Sequence, residues 1–371
     1  MCPHVSLRKC RASRACRQGA GRFALAGTAT TGRGPLEWRA SRSGEPYARI
    51  SHCPSQLARC YRIRPRTGAR VVTNARCLDA ELVRALKEAC GLDFSRAGTR
   101  EIGGGCINRV LELRAGAHTC CLKLNDAGAL PMFEAEADGL VALAANGAFR
   151  VPRVLTCGAT ADAAYLLLEY IEMRPLSSAE DGRRFAEALV QLHRDTGENF
   201  GWVSDNFVGA SAQTNTPHPG WAQFFVRQRL MPQLALARSA GHGATIVRSL
   251  DPLLERVPAM FLDYCPRPSL LHGDLWHGNA AMDAEGRPVI FDPAVYRGDR
   301  ETDLAMCELF GGFPSAFYAA YRTAWPPAEG YELRKTLYNL YHVLNHLNLF
   351  GRAYLGQAER MVRSLASELI R

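Results

Sequence analysis

The residues best suited to chemistry sit in one short segment, HGDLWHGN at positions 272–279, followed by Ile290, Phe291 and Asp292. Asp274 and Asn279 have the D-x4-N spacing of a phosphotransferase catalytic loop. Phosphoryl transfer needs a carboxylate to orient the attacking hydroxyl and accept its proton. It also needs amide and carboxylate oxygens on the Mg²⁺ that bridges the ATP phosphates. Asp274 supplies the first part, Asn279 and Asp292 the second. Three upstream features fall in the order such a site requires. Gly103, Gly104, Gly105 and Cys106 make a Gly-rich turn between two strand-like pieces, which taken alone is no more than a flexible turn and in this order is expected to bind the ATP phosphates. Seventeen residues on, Lys123 stands inside an apolar strand, where an unpaired cation is expensive to bury. Glu136 follows after thirteen more residues, in a helix from which it can reach back to that lysine. Glu134 is its rival, on a different helix face.

These groups need elements to hold them. Apolar spacing predicts a helix capped by Asp79, with Leu82, Val83, Leu86 and Ala89 on one face and Cys90-Gly91 at its end. Strands are expected over 110–113, 120–125, 151–157 and 164–171, and a helix over 132–145. After Arg174-Pro175 the pattern turns helical, with a capping start at Ser178 to Asp181 for a helix running to His193. Helices are also expected over 221–237 and 244–262, and three more follow the loop-and-strand region 270–292. The class is α+β. An antiparallel-sheet lobe with one main helix occupies 75–172, and a larger, mostly helical lobe occupies 173–371.

Composition bounds the answer. With 371 residues, 47% apolar and 22% charged, the chain is neither fibrous nor wholly disordered. No stretch approaches the roughly 18 consecutive apolar residues of a membrane span, so no membrane partner is expected. Thirteen cysteines without a CxxC pair suit scattered cytoplasmic thiols rather than a disulfide framework or a zinc ribbon. The formal charge of +9 is uneven: residues 1–74 carry fifteen basic side chains against Glu37 and Glu45, and the remainder is net −4. That basic arm has no sustained hydrophobic period. A secretory signal is disfavoured because its apolar stretch is too short. An organellar transit peptide, a nucleic-acid-binding arm and translated upstream sequence of a GC-rich gene stay open, and nucleic acid finds no motif there.

The motifs are similar to those of the fructosamine/ketosamine 3-kinase family. HGDLWHGN, FDPAVYRGDRETDLAM, LFGGFPSAFYAAY and LNHLNLFG carry the resemblance, with GGGCINRVLELRAG, CLKLN, MFEAEADGL, LLLEYIEM and GWAQFFVRQRL, across residues 78–365. It implies a protein-kinase-like bilobal fold. It implies Lys123 on the ATP phosphates with Glu136 as partner, Asp274 as base, and Asn279 and Asp292 as metal ligands. Glu169, Tyr170 and Ile171 fall at the adenine hinge. Asp303 and His272 become structural braces. The implied substrate is a ketosamine of the ribulosamine or fructosamine type, free or on a glycated protein. Its C3 hydroxyl is phosphorylated, and elimination then frees the amine. Trp276 is the first candidate to pack on the sugar, with Trp221, Asn345 and His346 behind it. Cys106, at the turn's tip, is a candidate redox-active thiol. A monomer or a homodimer is expected.

Rivals remain. A protein kinase would need a long activation segment after Asp292, and the Asp303 helix starts too soon for one. An aminoglycoside or choline kinase shares the loop and differs only in its flanks. A non-catalytic nucleotide-binding protein would be expected to have lost one of Lys123, Asp274, Asn279 and Asp292.

Overall fold

The computed structural model describes residues 78–102, 107–242 and 244–369. All of these belong to one of the chain's two compact units, Ile50–Arg371; the other, Met1–Arg49, lies outside the described residues. So do Gly103, Gly104, Gly105 and Cys106, with the phosphate-binding and redox expectations placed on them.

Asp79 accepts the N–H groups of Glu81 and Leu82 and so starts helix α1 (Ala80–Cys90). Strands β1 (Gly98–Glu101), β2 (Arg109–Ala115) and β3 (His118–Asp126) run antiparallel. Helix α2 (Leu130–Asn146) precedes β4 (Val154–Ala159) and β5 (Ala163–Glu169), and the sheet order is β1-β2-β3-β5-β4. Side chains alternate along β3 with a period of two. Cys120 and Leu122 pack with Leu82 and Leu86 of α1. Lys123 therefore faces the other side, where Phe133, Leu140 and Leu143 bury α2. One residue of slip would turn the lysine into the α1 core.

The chain then forms β6 (Met173–Arg174), α3 (Ala179–Arg194), the hairpin β7 (Asn206–Val208) and β8 (Ser211–Gln213), α4 (Trp221–Phe225), α5 (Met231–Ser239) and α6 (Ala244–Arg256). Four short strands follow: β9 (Ser269–Leu271), β10 (Ala280–Asp283), β11 (Pro288–Ile290) and β12 (Tyr296–Gly298). Helices α7 (Glu301–Leu309), α8 (Ser315–Ala324), α9 (Tyr331–Phe350) and α10 (Leu355–Leu369) complete it. Strand β10 pairs with β11 and β6, and β12 pairs with β9.

The single helix expected over 221–237 is instead two helices around a π-helical turn, Val226–Leu230. Pro232 is the cause: it has no N–H, and its ring would crowd the carbonyl four residues back, at Gln228. The Arg229 side chain donates to that carbonyl at 3.0 Å. The two expected lobes also share a core. One apolar cluster runs from Phe133 and Leu168 on the sheet side to Phe185, Leu275 and Phe317 among the helices. Between Asp292 and α7 the chain makes only β12, which leaves no room for an activation segment. No helix among the described residues is long and apolar enough to cross a membrane.

Candidate active site

Lys123, only 5% exposed, meets two carboxylates. Its Nζ lies 2.5 Å from Glu136 Oε1 and also pairs with Asp292. Burial works against its charge, but Asp292 and Glu136 outweigh that and hold its pKa above the ordinary lysine value. Burial likewise pushes the Glu136 carboxyl up, against the pull of Lys123. Glu134 is exposed, so the choice between the two glutamates falls to α2's orientation. Asp292 is the one non-glycine with positive φ among the described residues, at 56°, a conformation that aspartate tolerates better than most.

Asp274 lies just past β9 on a loop braced by the main chain. Asp303, in the first turn of α7, accepts the N–H groups of His272 at 2.8 Å and Gly273 at 2.9 Å. His272 donates Nε2–H to the Phe291 carbonyl at 3.0 Å, and its Nδ1 accepts the Asp274 N–H at 3.3 Å. These contacts fix one neutral tautomer, and burial lowers the ring's pKa. At Gly273, φ is +82° and a Cβ would stand 2.0 Å from the Ala294 carbonyl oxygen. No other residue fits there. Burial first, then the charges of Asp292 and Asp303, push Asp274 up to about 7, while Asn279 pulls the other way. Asn279 closes the loop, with Nδ2 donating to the main-chain oxygens of Asp274 at 3.0 Å and Asp292 at 3.4 Å.

One cavity of about 400 Å³ collects Lys123, Glu136, Asp274, Trp276, Asn279 and Asp292 in its wall. Asn345 and His346 of α9 line it too. The Trp276 ring stands 6.2 Å from Phe310, and Phe310 5.2 Å from His346, so this end of the cavity is aromatic.

Trp221 does not join it. The ring is 3% exposed, packed 5.1 Å from Phe200 and 5.3 Å from Phe225, with Nε1–H on the Tyr338 hydroxyl. It is a core residue, which corrects the substrate-binding expectation. Glu169, Tyr170 and Ile171 lie at the end of β5, outside this cavity's lining, and Glu169 pairs with Arg150.

Two features had escaped the sequence reading. Asn206, Phe207, Val208 and Gly209 of the β7–β8 hairpin also line the cavity. Asn206 donates to the Val295 carbonyl at 2.7 Å and accepts from Gln213 and Asn215, each at 2.8 Å. Two short strands around Gly209-Ala210 were the available signal. The second is His193, fully buried, with Nδ1 2.8 Å from the Tyr321 hydroxyl and Nε2 3.2 Å from Asp303. Burial lowers its pKa against the opposing pull of Asp303. The neutral ring therefore donates Nε2–H to that carboxylate and accepts the tyrosine proton. Arg300 donates to the same hydroxyl at 3.2 Å.

A five-stranded antiparallel sheet with its helix, a helical half, and a braced Asp-Asn loop between them define the protein-kinase-like fold. The sequence profile of the fructosamine kinase family matches residues 78–368, and the chain belongs to that family. A Synechocystis sp. protein carrying the name probable ketoamine kinase is 44% identical over 285 residues, covering 76% of this chain and 95% of that one. The chloroplastic protein-ribulosamine 3-kinase of Arabidopsis thaliana is 38% identical, covering 75% and 84%. A Haemophilus somnus structure put forward as a fructosamine-3-kinase superposes with a TM-score of 0.70 at 29% identity, covering 77% of this chain and 96% of the other.

Proposed function

We propose that this kinase transfers a phosphoryl group from ATP to the C3 hydroxyl of a ketosamine, of the ribulosamine or fructosamine type. Elimination of the 3-phosphate leaves a C1 imine, and its hydrolysis by water releases a 3-deoxydicarbonyl sugar and the free amine, which repairs a glycated amine. The observation that carries this is the convergence of Lys123, Asp274, Asn279 and Asp292 on one cavity in a chain of the fructosamine kinase family. Asp274 takes the hydroxyl proton as the oxygen attacks phosphorus, and a pKa of about 7 suits a base working near neutrality. Lys123, steadied by Glu136, holds the ATP phosphates. Main-chain groups at Glu169, Tyr170 and Ile171 hold the adenine. Asn279 and Asp292 suit Mg²⁺, a hard cation that takes a few protein oxygens and leaves the rest to phosphate and water. The Asn279 Nδ2 is spent on the main chain and on the Asp274 carboxylate, and its Oδ1 has no partner among the described residues. Bound there, Mg²⁺ supplies charge neutralisation for the transferred group. Trp276 offers the sugar an aromatic face, with Asn345 and His346 further along the wall.

The test is a panel of ribulosamines, erythrulosamines, fructosamines, an aminoglycoside and choline with Mg·ATP, read by phosphorus NMR. A ketosamine 3-phosphate that decays to inorganic phosphate and free amine is the expected result. Turnover confined to the aminoglycoside or choline would overturn the substrate assignment and leave the kinase class standing.

A further inference from the structure

A second cavity, of about 710 Å³, shares no lining residue with the first. Its wall is built by Arg194 at the end of α3, by residues 264–267 ahead of β9, by Asp299 and Arg300 ahead of α7, and by Trp325 and Pro326 after α8. Three arginines thus line one space. Arg194 and Arg267 are exposed, and neither guanidinium has a hydrogen-bond or ion-pair partner among the described residues. Arg300 is buried and fixed, donating to the Trp325 and Pro326 carbonyls at 3.3 and 2.7 Å with its guanidinium 4.3 Å from the Trp325 ring centre.

Asp299 is the carboxylate in this wall, and its oxygens are already committed. They accept from the hydroxyls of Tyr264 at 2.9 Å and Tyr338 at 2.6 Å, and from the Glu301 N–H at 3.0 Å. The nearby Glu301 is occupied by Arg334 at 2.8 Å. The wall therefore carries a net of two positive charges. A phosphoryl dianion neutralises that charge, whereas a single carboxylate does not. Two free guanidinium forks also match phosphate oxygens bidentately, which lysines would not. The volume exceeds what inorganic phosphate fills and lies in the range of small-molecule sites.

We propose that this cavity binds a phosphorylated small molecule, with its phosphoryl group on Arg194 and Arg267 and its remaining part against Tyr264 and Trp325. A sugar phosphate and a nucleotide share that chemistry. Cys265, an exposed thiol in the same wall, gives a local readout that is independent of which hydroxyl the first cavity phosphorylates. In the full chain, maleimide labelling of Cys265 is followed by mass spectrometry with fructose 6-phosphate, ADP, inorganic phosphate or unphosphorylated fructose. Fructose 6-phosphate or ADP should slow labelling of Cys265 severalfold, inorganic phosphate should compete with either, and fructose should do nothing. Whichever of the two protects names the source. The Arg194→Ala/Arg267→Ala double variant should lose the protection while keeping its melting temperature and its ATP turnover. Absence of protection at millimolar ligand, or equal protection in the double variant, would overturn the proposal. So would protection by ADP alone that vanishes in Lys123→Ala, because the nucleotide would then be acting from the first cavity.

Discussion

Lys123 shows how a residue expensive to bury becomes informative. It is one of only four lysines in a chain of 41 arginines, and it is nearly inaccessible between Glu136 and Asp292. Replacing Glu136 with Gln should lower kcat/KM for ATP by about 10–100-fold, the worth of one charge-assisted hydrogen bond. The exposed Glu134 provides the control. Glu134→Gln should stay within about twofold, as expected for a solvated helix face. Equal losses in the two variants would show that the ion pair with Lys123 does not matter to nucleotide use. In the loop at 272–279, Asp274→Asn keeps the side chain's shape and removes the carboxylate proposed as base. Phosphoryl transfer should fall by about 10²–10⁴-fold with ATP affinity nearly unchanged, as measured by single-turnover kinetics and nucleotide titration. Near-normal turnover in that variant would discard Asp274 as the base. These residues were legible because loop spacing is local. The place of Trp221 was not legible for the complementary reason: a tryptophan's type does not say which side of its helix faces the core.

Helix α3 depends on its first turn. Ser178 and Asp181 form a reciprocal capping box, and Asp181 also takes Arg174 through two nitrogens at 2.7 and 2.8 Å. The Arg174 hydrogen bonds, aided by backbone N–H donors, hold the Asp181 carboxyl well below the usual carboxylate range. Asp181→Asn should cost about 1–3 kcal/mol in urea unfolding. A depressed folded-state pKa gives stability that is present above the unfolded value and lost as pH falls towards the folded one. The gap between the native protein and the variant should therefore hold steady from neutrality down to about pH 4 and narrow below it. A gap that stayed constant down to pH 2 would argue that the carboxylate's charge contributes nothing. The capping box was readable in four consecutive residues. The π turn before α5 was not, because Pro232 allows several local repairs. The one adopted uses a buried Arg229 that also reaches Asn215 at 2.7 Å and lies 4.0 Å from the Tyr296 ring centre.

Over the whole molecule, the change in charge lies close to the start of the family match. The basic arm over residues 1–74 has a net charge of +13, and the family match starts at residue 78. A protein beginning at Val71 should unfold at the same temperature and turn over ATP at the same rate as the full chain. A drop in either would make the arm part of the working protein. The chloroplastic location of the Arabidopsis relative adds a second measurement, import of a fluorescent protein fused to residues 1–74 into organelles. Retention in the cytoplasm would remove the transit-peptide alternative.

By itself the sequence determined the class of chemistry, because the D-x4-N loop, the buried lysine and the later aspartate are each short-range patterns whose order the chain preserves. It also determined the α+β class, since hydrophobic periodicity is local. Only the tertiary structure decided which groups share a cavity. The hairpin carrying Asn206 and the core position of Trp221 follow from packing between segments far apart in sequence. The same holds for the brace from His193 and Tyr321 to Asp303, whose members stand 110 and 128 residues from their partners. Such contacts leave no period or spacing in the chain, because what selects them is the filling of a shared interior.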